Sequence, residues 1–383
     1  MHQPELMHML KRLIEIPSVS SVSPSHDMGN RPLIDELAGW CEAGGFRVEV
    51  RPLEGVADKA NLVASLGKGP GGLVLAGHTD TVPCDPHLWS QDPFQGVVRD
   101  DRLYGLGSCD MKSFLALALE AAAGFDPKDF RHPLVILATA DEESSMRGAR
   151  AIAEAGQPLG RQAVIGEPTN LRPVRMHKGI LMEGIRVTGQ AGHSSDPSLG
   201  NSALEGMHRV MGEVLAWRDE LQARHRNPQF QVAVPTLNLG HIHGGDNPNR
   251  ICGQCELHID LRPLPGMEPD ALRQTLTERV DKALQDTGLD HEVFRLIPGV
   301  PPMETPADSE LVRVTEELTG HAAEAVAFGT EGPFLRQMDM DVVILGPGDI
   351  RQAHQPDEYL ALDRIEPMLK ILRGLIQRFC IHA

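Results

Sequence analysis

Two runs, residues 72–77 (GLVLAG) and 133–138 (PLVILA), carry no polar side chain. A strand with one face in water alternates apolar and polar residues, so unbroken runs of this length predict strands buried inside a sheet. Helical stretches separate such runs, and residues 110–123 predict an amphipathic or buried helix. From the first helix to about residue 175 the alternation predicts an α/β layer architecture with a largely parallel sheet. The same grammar returns after about residue 300, with a helix over 309–318, a strand over 342–345 and a final helix over 362–379.

Between those stretches the order changes. Residues 179–189 predict a strand, 203–223 a helix, 236–242 and 255–261 two strands, 270–286 a helix and 291–297 a last strand. This β-α-β-β-α-β order predicts a ferredoxin-like unit. It is inserted into a first domain whose sheet the C-terminal segment completes, so residues 1–180 and 295–383 enclose an insertion of 181–294. A chain of 383 residues with 41% hydrophobic side chains exceeds what one compact core usually holds, which also favours two domains.

Charge excludes some partners. With 53 acidic against 36 basic residues and no Lys/Arg-rich run, the net charge of -17 repels a phosphate backbone, and no nucleic acid is expected. Leu6, Leu10, Leu13 and Ile14 share one helical face, where a signal peptide would need an uninterrupted apolar stretch. No segment approaches the roughly 20 uncharged apolar residues of a membrane helix, so a cytoplasmic protein without membrane contact is expected. The six cysteines are expected to be reduced thiols. Cys252 and Cys255 read as neighbours around a strand rather than as a zinc site, because a second pair is missing.

Five polar motifs fall where apolar strands end or helices begin: GHTD at 77–80, GSCDMK at 107–112, TADEE at 139–143, GEP at 166–168 and AHQPDE at 353–358. In an open α/β sheet, ligands gather outside the carboxyl ends of the strands, so these loops can converge. They supply His78, Asp80, Asp110, Asp141, Glu142, Glu143, Glu167 and His354. Imidazole with carboxylate is the donor set of a hydrolytic zinc site, and several carboxylates can balance the charge of two ions. Taken singly, each motif has a plainer reading: DEE as an acidic helix start, Asp110 as a helix N-terminus, GEP as a turn, either histidine as a satisfied side chain. Their shared placement at strand ends favours the metal, and Asp80 stands where it can hold the far nitrogen of His78.

In order, GHTDTVP, YGLGSCDMKS, TADEE, IGEPT, GHSSDP, HGGD with NRIC, DLRPLPGM and GPGDIRQAHQPDEYL resemble the di-zinc amidohydrolases, a family that includes succinyl-diaminopimelate desuccinylase and the aminoacylases. The stretches HKG, NLGHIHGGD, NRICGQCELHIDLRPLPG and AHQPDEYL are similar to the branch that deacetylates N-acetylornithine. The resemblance implies a zinc-peptidase-like catalytic domain with a mostly parallel sheet, and an inserted ferredoxin-like lid through which two copies form a homodimer. It implies two zinc ions per chain, or cobalt in their place, with His78 and Glu167 on different ions, Asp110 bridging, and Glu143 and His354 completing the sites. Glu142 is then the general base and Asp80 the partner of His78. His193, from its own or the neighbouring subunit, donates to the oxyanion. Asn249, Arg262, Gly329 and Thr330 contact a small N-acyl amino acid, with Arg262 on its α-carboxylate. One departure is Cys252, which stands where related sequences often carry proline after Asn-x-Ile.

Other readings stay open at this level. The same chemistry would serve a deacylase of acetylcitrulline or succinyl-diaminopimelate, or a dipeptidase. A catalytically silent relative that binds an amino acid or metal has no use for Glu142, and a purely acidic interaction module would bind no metal. Arg262 can instead form a salt bridge at a strand end, His193 can serve a capping turn, and Glu331 reads either as a contact for a side-chain ammonium or as an exposed loop carboxylate.

Overall fold

The computed structural model describes residues 3–382. It divides into two compact units, one formed by the chain up to Arg175 with Thr305–Glu324 and the segment from Thr330 onward, the other by Met176–Glu304 with Ala325–Gly329. The borders drawn from the sequence were 180/181 and 294/295. The second unit runs further because Val300, itself buried, exchanges backbone bonds with Ile180, and Gly179 packs against the Val300 carbonyl.

The sheet of the first unit runs Arg47–Pro52, Ala60–Leu66, Leu134–Thr139, Leu73–His78, Gln162–Ile165 and Asp341–Ile344, with Val174 pairing beside Ile344. The four central strands are parallel to their neighbours, and the flanking pairs are antiparallel. Both unbroken apolar runs lie on central strands, and all six residues of strand Leu73–His78 and of strand Leu134–Thr139 are buried. Because the four central strands point the same way, His78, Thr139, Ile165 and Ile344 end at one edge of the sheet.

Helix Lys112–Ala122 (KSFLALALEAA) lies on this sheet. Its alanines and leucines favour the helix, and a sequence apolar all round belongs inside. It packs between the sheet and the helices Leu6–Glu15 and Ile365–Ile376. The helix begins at Lys112 rather than at residue 110: Asp110 lies in a turn closed by the Lys112 amide on the Gly107 carbonyl, and the Asp110–Met111 peptide is cis.

The second unit follows the expected β-α-β-β-α-β order: Leu181–Thr188, Ala203–Arg224, Thr236–Gly244, Gln254–Arg262, Pro269–Leu284 and Asp290–Arg295. Its antiparallel sheet places Thr236–Gly244 at one edge and Asp290–Arg295 at the other. Leu257, Ile259 and Leu261 meet Met207, Val210, Val214, Leu276 and Val280 of the two helices in one core.

Candidate active site

Strand Leu73–His78 delivers His78 to the sheet edge, 1% exposed. Its Nδ1 lies 3.0 Å from the backbone carbonyl of Asp80. A carbonyl only accepts, so this bond keeps the proton on Nδ1 and leaves Nε2 as the ligating nitrogen. Nε2 faces Asp110 Oδ1 at 3.2 Å and Glu167 Oε1 at 3.8 Å. Asp80 thus holds His78 chiefly through its main chain, with its carboxylate 3.8 Å away. That carboxylate accepts from the amides of Glu142 at 3.2 Å and Glu143 at 3.0 Å, so Asp80 also sets the position of the acidic pair.

Asp110 lies between two imidazoles. While Oδ1 faces His78, Oδ2 is 3.7 Å from Nε2 of His354, and that nitrogen is 3.1 Å from Glu143 Oε1. Donor atoms of His78, Asp110 and Glu143, and likewise those of His78, Glu142 and Glu167, fall within 4.8 Å of one another. Both His354 (φ 60°) and Asp141 (φ 59°) adopt the left-handed region, uncommon for residues with a side chain and a frequent mark of functional loops. Gly166 admits no larger residue, because a Cβ there would lie 1.9 Å from the Phe114 ring. This close approach seats Glu167 directly over the buried helix.

The electrostatics of the cluster suit a cation. Burial raises Glu142 and Glu167 well above the usual carboxylate range, and neighbouring carboxylates add to the effect. Asp80 is pushed up to about 6, mainly by burial. Burial is the largest single influence on Asp110 and pushes it up, but the hydrogen bond and charge of His78, the charge of His354 and the bond to Glu167 together outweigh it and hold that carboxyl below its ordinary value. Four carboxylates and two imidazoles packed this closely cannot all take their metal-ligating forms without added positive charge, and two divalent ions would supply it. The residues therefore fit a metal pair.

Of the further positions at this centre, Lys59, Ser20 and Glu358 were given no role from the sequence, whereas Glu331 was read two ways. Lys59 and Ser20 bond Asp141, just before the acidic pair. Glu331 is buried rather than exposed, accepts from Thr139 Oγ1 at 2.7 Å, and is pushed up to about 7 by burial. Glu358 was inside a recognised motif, yet only His354 of that motif was assigned a part. Its buried carboxylate takes backbone amides of the loop before Lys112.

Thr330 belongs to the first unit, buried, with Oγ1 accepting from Gly332 N. His193, Asn249, Arg262 and Gly329 belong to the second. His193 is exposed, its Nδ1 taking the Ser195 amide at 3.2 Å and the Ser195 hydroxyl at 2.7 Å, and the Asn249 carbonyl accepts from Ser194 N. Arg262 donates from Nε to both oxygens of Asp260, at 2.9 and 3.0 Å. Gly329 is closely packed, since a Cβ would lie 2.9 Å from Ile180 Cδ1. Cys252 and Cys255 are both free and buried, the first donating to the Gln254 carbonyl.

The sequence pattern of Peptidase family M20/M25/M40 matches residues 74–378, a span that includes every residue of the cluster. Over 382 residues, all of both chains, the sequence is 46% identical to the acetylornithine deacetylase of Pectobacterium carotovorum subsp. carotovorum. The fold is similar to aminopeptidase PepT from Bacillus cereus, with a TM-score of 0.75, 18% identity and 98% of each chain covered. It is also similar to the YXEP protein of Bacillus subtilis, described as a dinuclear metal-binding peptidase of the M20 family, with a TM-score of 0.67, 14% identity, and 97% and 96% of the two chains covered.

Proposed function

The chain belongs to peptidase family M20/M25/M40, and from that premise we propose that it is a metal-dependent amidohydrolase that cleaves N-acetyl-L-ornithine to acetate and L-ornithine, a step of arginine biosynthesis. The placement of Asp110, one oxygen toward His78 and the other toward His354, carries the chemical part of this reading. The substrate rests on full-length identity to a relative of that name.

Two zinc ions, or cobalt, would be held by His78, Asp110, Glu143, Glu167 and His354. Bound there, the metal would supply Lewis acidity, polarising the acyl carbonyl and making water more acidic. Glu142 takes the proton from the attacking water and hands it to the departing amine, a role suited to a carboxylate that burial has made more basic. Asp80 keeps His78 in the correct tautomer and steadies the two acidic side chains through their amides. His193 donates to the oxyanion, and Asn249, Gly329 and Thr330 line the substrate. With Nε engaged by Asp260, the two Nη groups of Arg262 form a planar fork for the α-carboxylate.

The edge strand Thr236–Gly244, paired along one side and carrying exposed Ile242, supports a homodimer through the second unit. Six free cysteines support a reducing, cytoplasmic setting, and no helix among the described residues is long and apolar enough to cross a membrane.

The test is a substrate panel on zinc-loaded protein, with metal counted per chain. We expect about two ions and a kcat/KM that is highest for N-acetylornithine over N-acetylcitrulline and succinyl-diaminopimelate. A preference for the succinylated compound would change the substrate while leaving the chemistry. A protein that takes up no metal and cleaves none of the three would remove the reading altogether.

A further inference from the structure

Glu358 lies four residues beyond His354, on the same loop, and is 1% exposed. Its Oε1 accepts from the amides of Cys109 at 2.7 Å and Asp110 at 3.0 Å, and Oε2 accepts from Gly107 at 3.0 Å. Its own carbonyl accepts from Gly105 N, also at 3.0 Å. The next residues, Tyr359–Ala361, pair with strand Arg102–Tyr104, which leads into the Asp110 turn. One carboxylate therefore ties the loop that carries His354 to the loop that carries Asp110. Amides converging on a buried carboxylate make bonds about twice as strong as those to a neutral acceptor.

These bonds direct both oxygens at backbone amides, and Glu358 is in neither group of donor atoms that lie close enough to hold a metal. We propose that Glu358 is a positioning residue that fixes the turn at Asp110, so that the two oxygens of Asp110 face His78 and His354, and thereby sets the affinity and geometry of the metal pair. The inference rests on the metal-centre reading above. The geometry of the turn explains why a carboxyl group is needed: three amides within a single turn point inward, and the two oxygens of Glu358 accept from all of them. Glutamine would turn an NH2 group toward at least one of those donors. Aspartate would keep the charge but withdraw it by one methylene.

The experiment loads wild type, Glu358→Gln and Glu358→Asp with Co²⁺, recording the visible d–d spectrum, the dissociation constant of each ion and thermal unfolding with and without metal. Wild type is expected to bind two ions. The variants are expected to fold, to show an altered cobalt spectrum and to bind metal about ten- to a hundredfold more weakly, the usual effect of removing a group that orients a ligand. Aspartate should lie closer to wild type than glutamine. Folded variants with the wild-type spectrum and affinity would overturn the proposal, as would variants that stay unfolded whether or not cobalt is present, since Glu358 would then support the fold alone. A wild type that binds no cobalt would refute the metal centre itself, and this inference with it.

Discussion

The Lys59 ammonium donates to Asp141 Oδ1 at 2.5 Å, in an ion pair whose side chains are 5% and 7% exposed. Asp27 takes the same ammonium from a more exposed side, and the Ser20 hydroxyl also donates to Asp141. Since Asp141 holds a left-handed φ of 59° directly before Glu142 and Glu143, the pair fixes the turn that presents both. Lys59→Met leaves the Asp141 carboxylate buried without its cation, which costs about 3–5 kcal/mol in comparable cases. Urea unfolding of the metal-free protein should register a loss of that order, and Lys59→Met with Asp141→Asn should recover part of it. Unchanged stability in the single variant would mean that the pair contributes nothing net.

Glu142 and Glu143 are adjacent but should fail differently. Glu142→Gln is expected to keep its metal and lose roughly a hundred- to ten-thousandfold in kcat, as for a positioned proton carrier. Glu143, whose carboxylate meets His354, should instead lose metal on conversion to Gln. Metal content and kcat measured side by side check the assignment. The opposite pattern would exchange the two roles.

His177 is fully buried, with Nδ1 donating to the Lys178 carbonyl, and burial lowers its pKa to about 4. The unfolded chain takes up a proton near pH 6.5 that the folded protein refuses until about pH 4. Acidification through that window therefore removes stability, by up to about 3 kcal/mol, and no more is lost through this group below it. Unfolding free energies from pH 7 to 4 should fall less steeply in His177→Asn than in wild type. Parallel curves would show that His177 contributes no pH dependence.

Thiol reactivity should be confined to one position. Cys84 is partly exposed, whereas the other five cysteines are buried, and burial pushes Cys41 and Cys380 up to about 12. A thiolate-directed reagent should modify Cys84 first in native protein and reach the rest only after denaturation. Mass mapping of the labelled peptides decides this, and early labelling of Cys252 or Cys255 would contradict it.

The central strands were legible because burial on both faces leaves an unbroken apolar run, as in LVLAG and LVILA. The insertion was legible because its elements follow a recognisable order. Helix Lys112–Ala122 was placed two residues early, since nothing local in GSCDMK shows where the turn closes. Asp80 was noticed for its spacing from His78, but spacing does not reveal that its carbonyl would meet the imidazole while its carboxylate met two distant amides. Lys59 and Glu358 lie beyond local reading for the same reason. Lys59 meets an aspartate more than eighty residues away and Glu358 meets amides about 250 residues away, contacts that only the finished topology creates.

The first unit contains a chain interruption whose two ends are adjacent: Thr305 N donates to the Arg175 carbonyl at 2.8 Å. Parallel pairing of Asp341–Ile344 with Gln162–Ile165 must otherwise await closure of a very long loop. If residues 176–304 fold first, as a unit with its own core, that loop is shortened in effect to a single hydrogen-bonded step, and the entropy of closing it has already been met locally. During synthesis, the insertion emerges complete before the strand that it separates from its neighbour. The interruption thus acts as a spacer that brings the two halves of one sheet into register, and pulse-labelled hydrogen exchange should find Leu257 and Ile259 protected before Val342 and Val343.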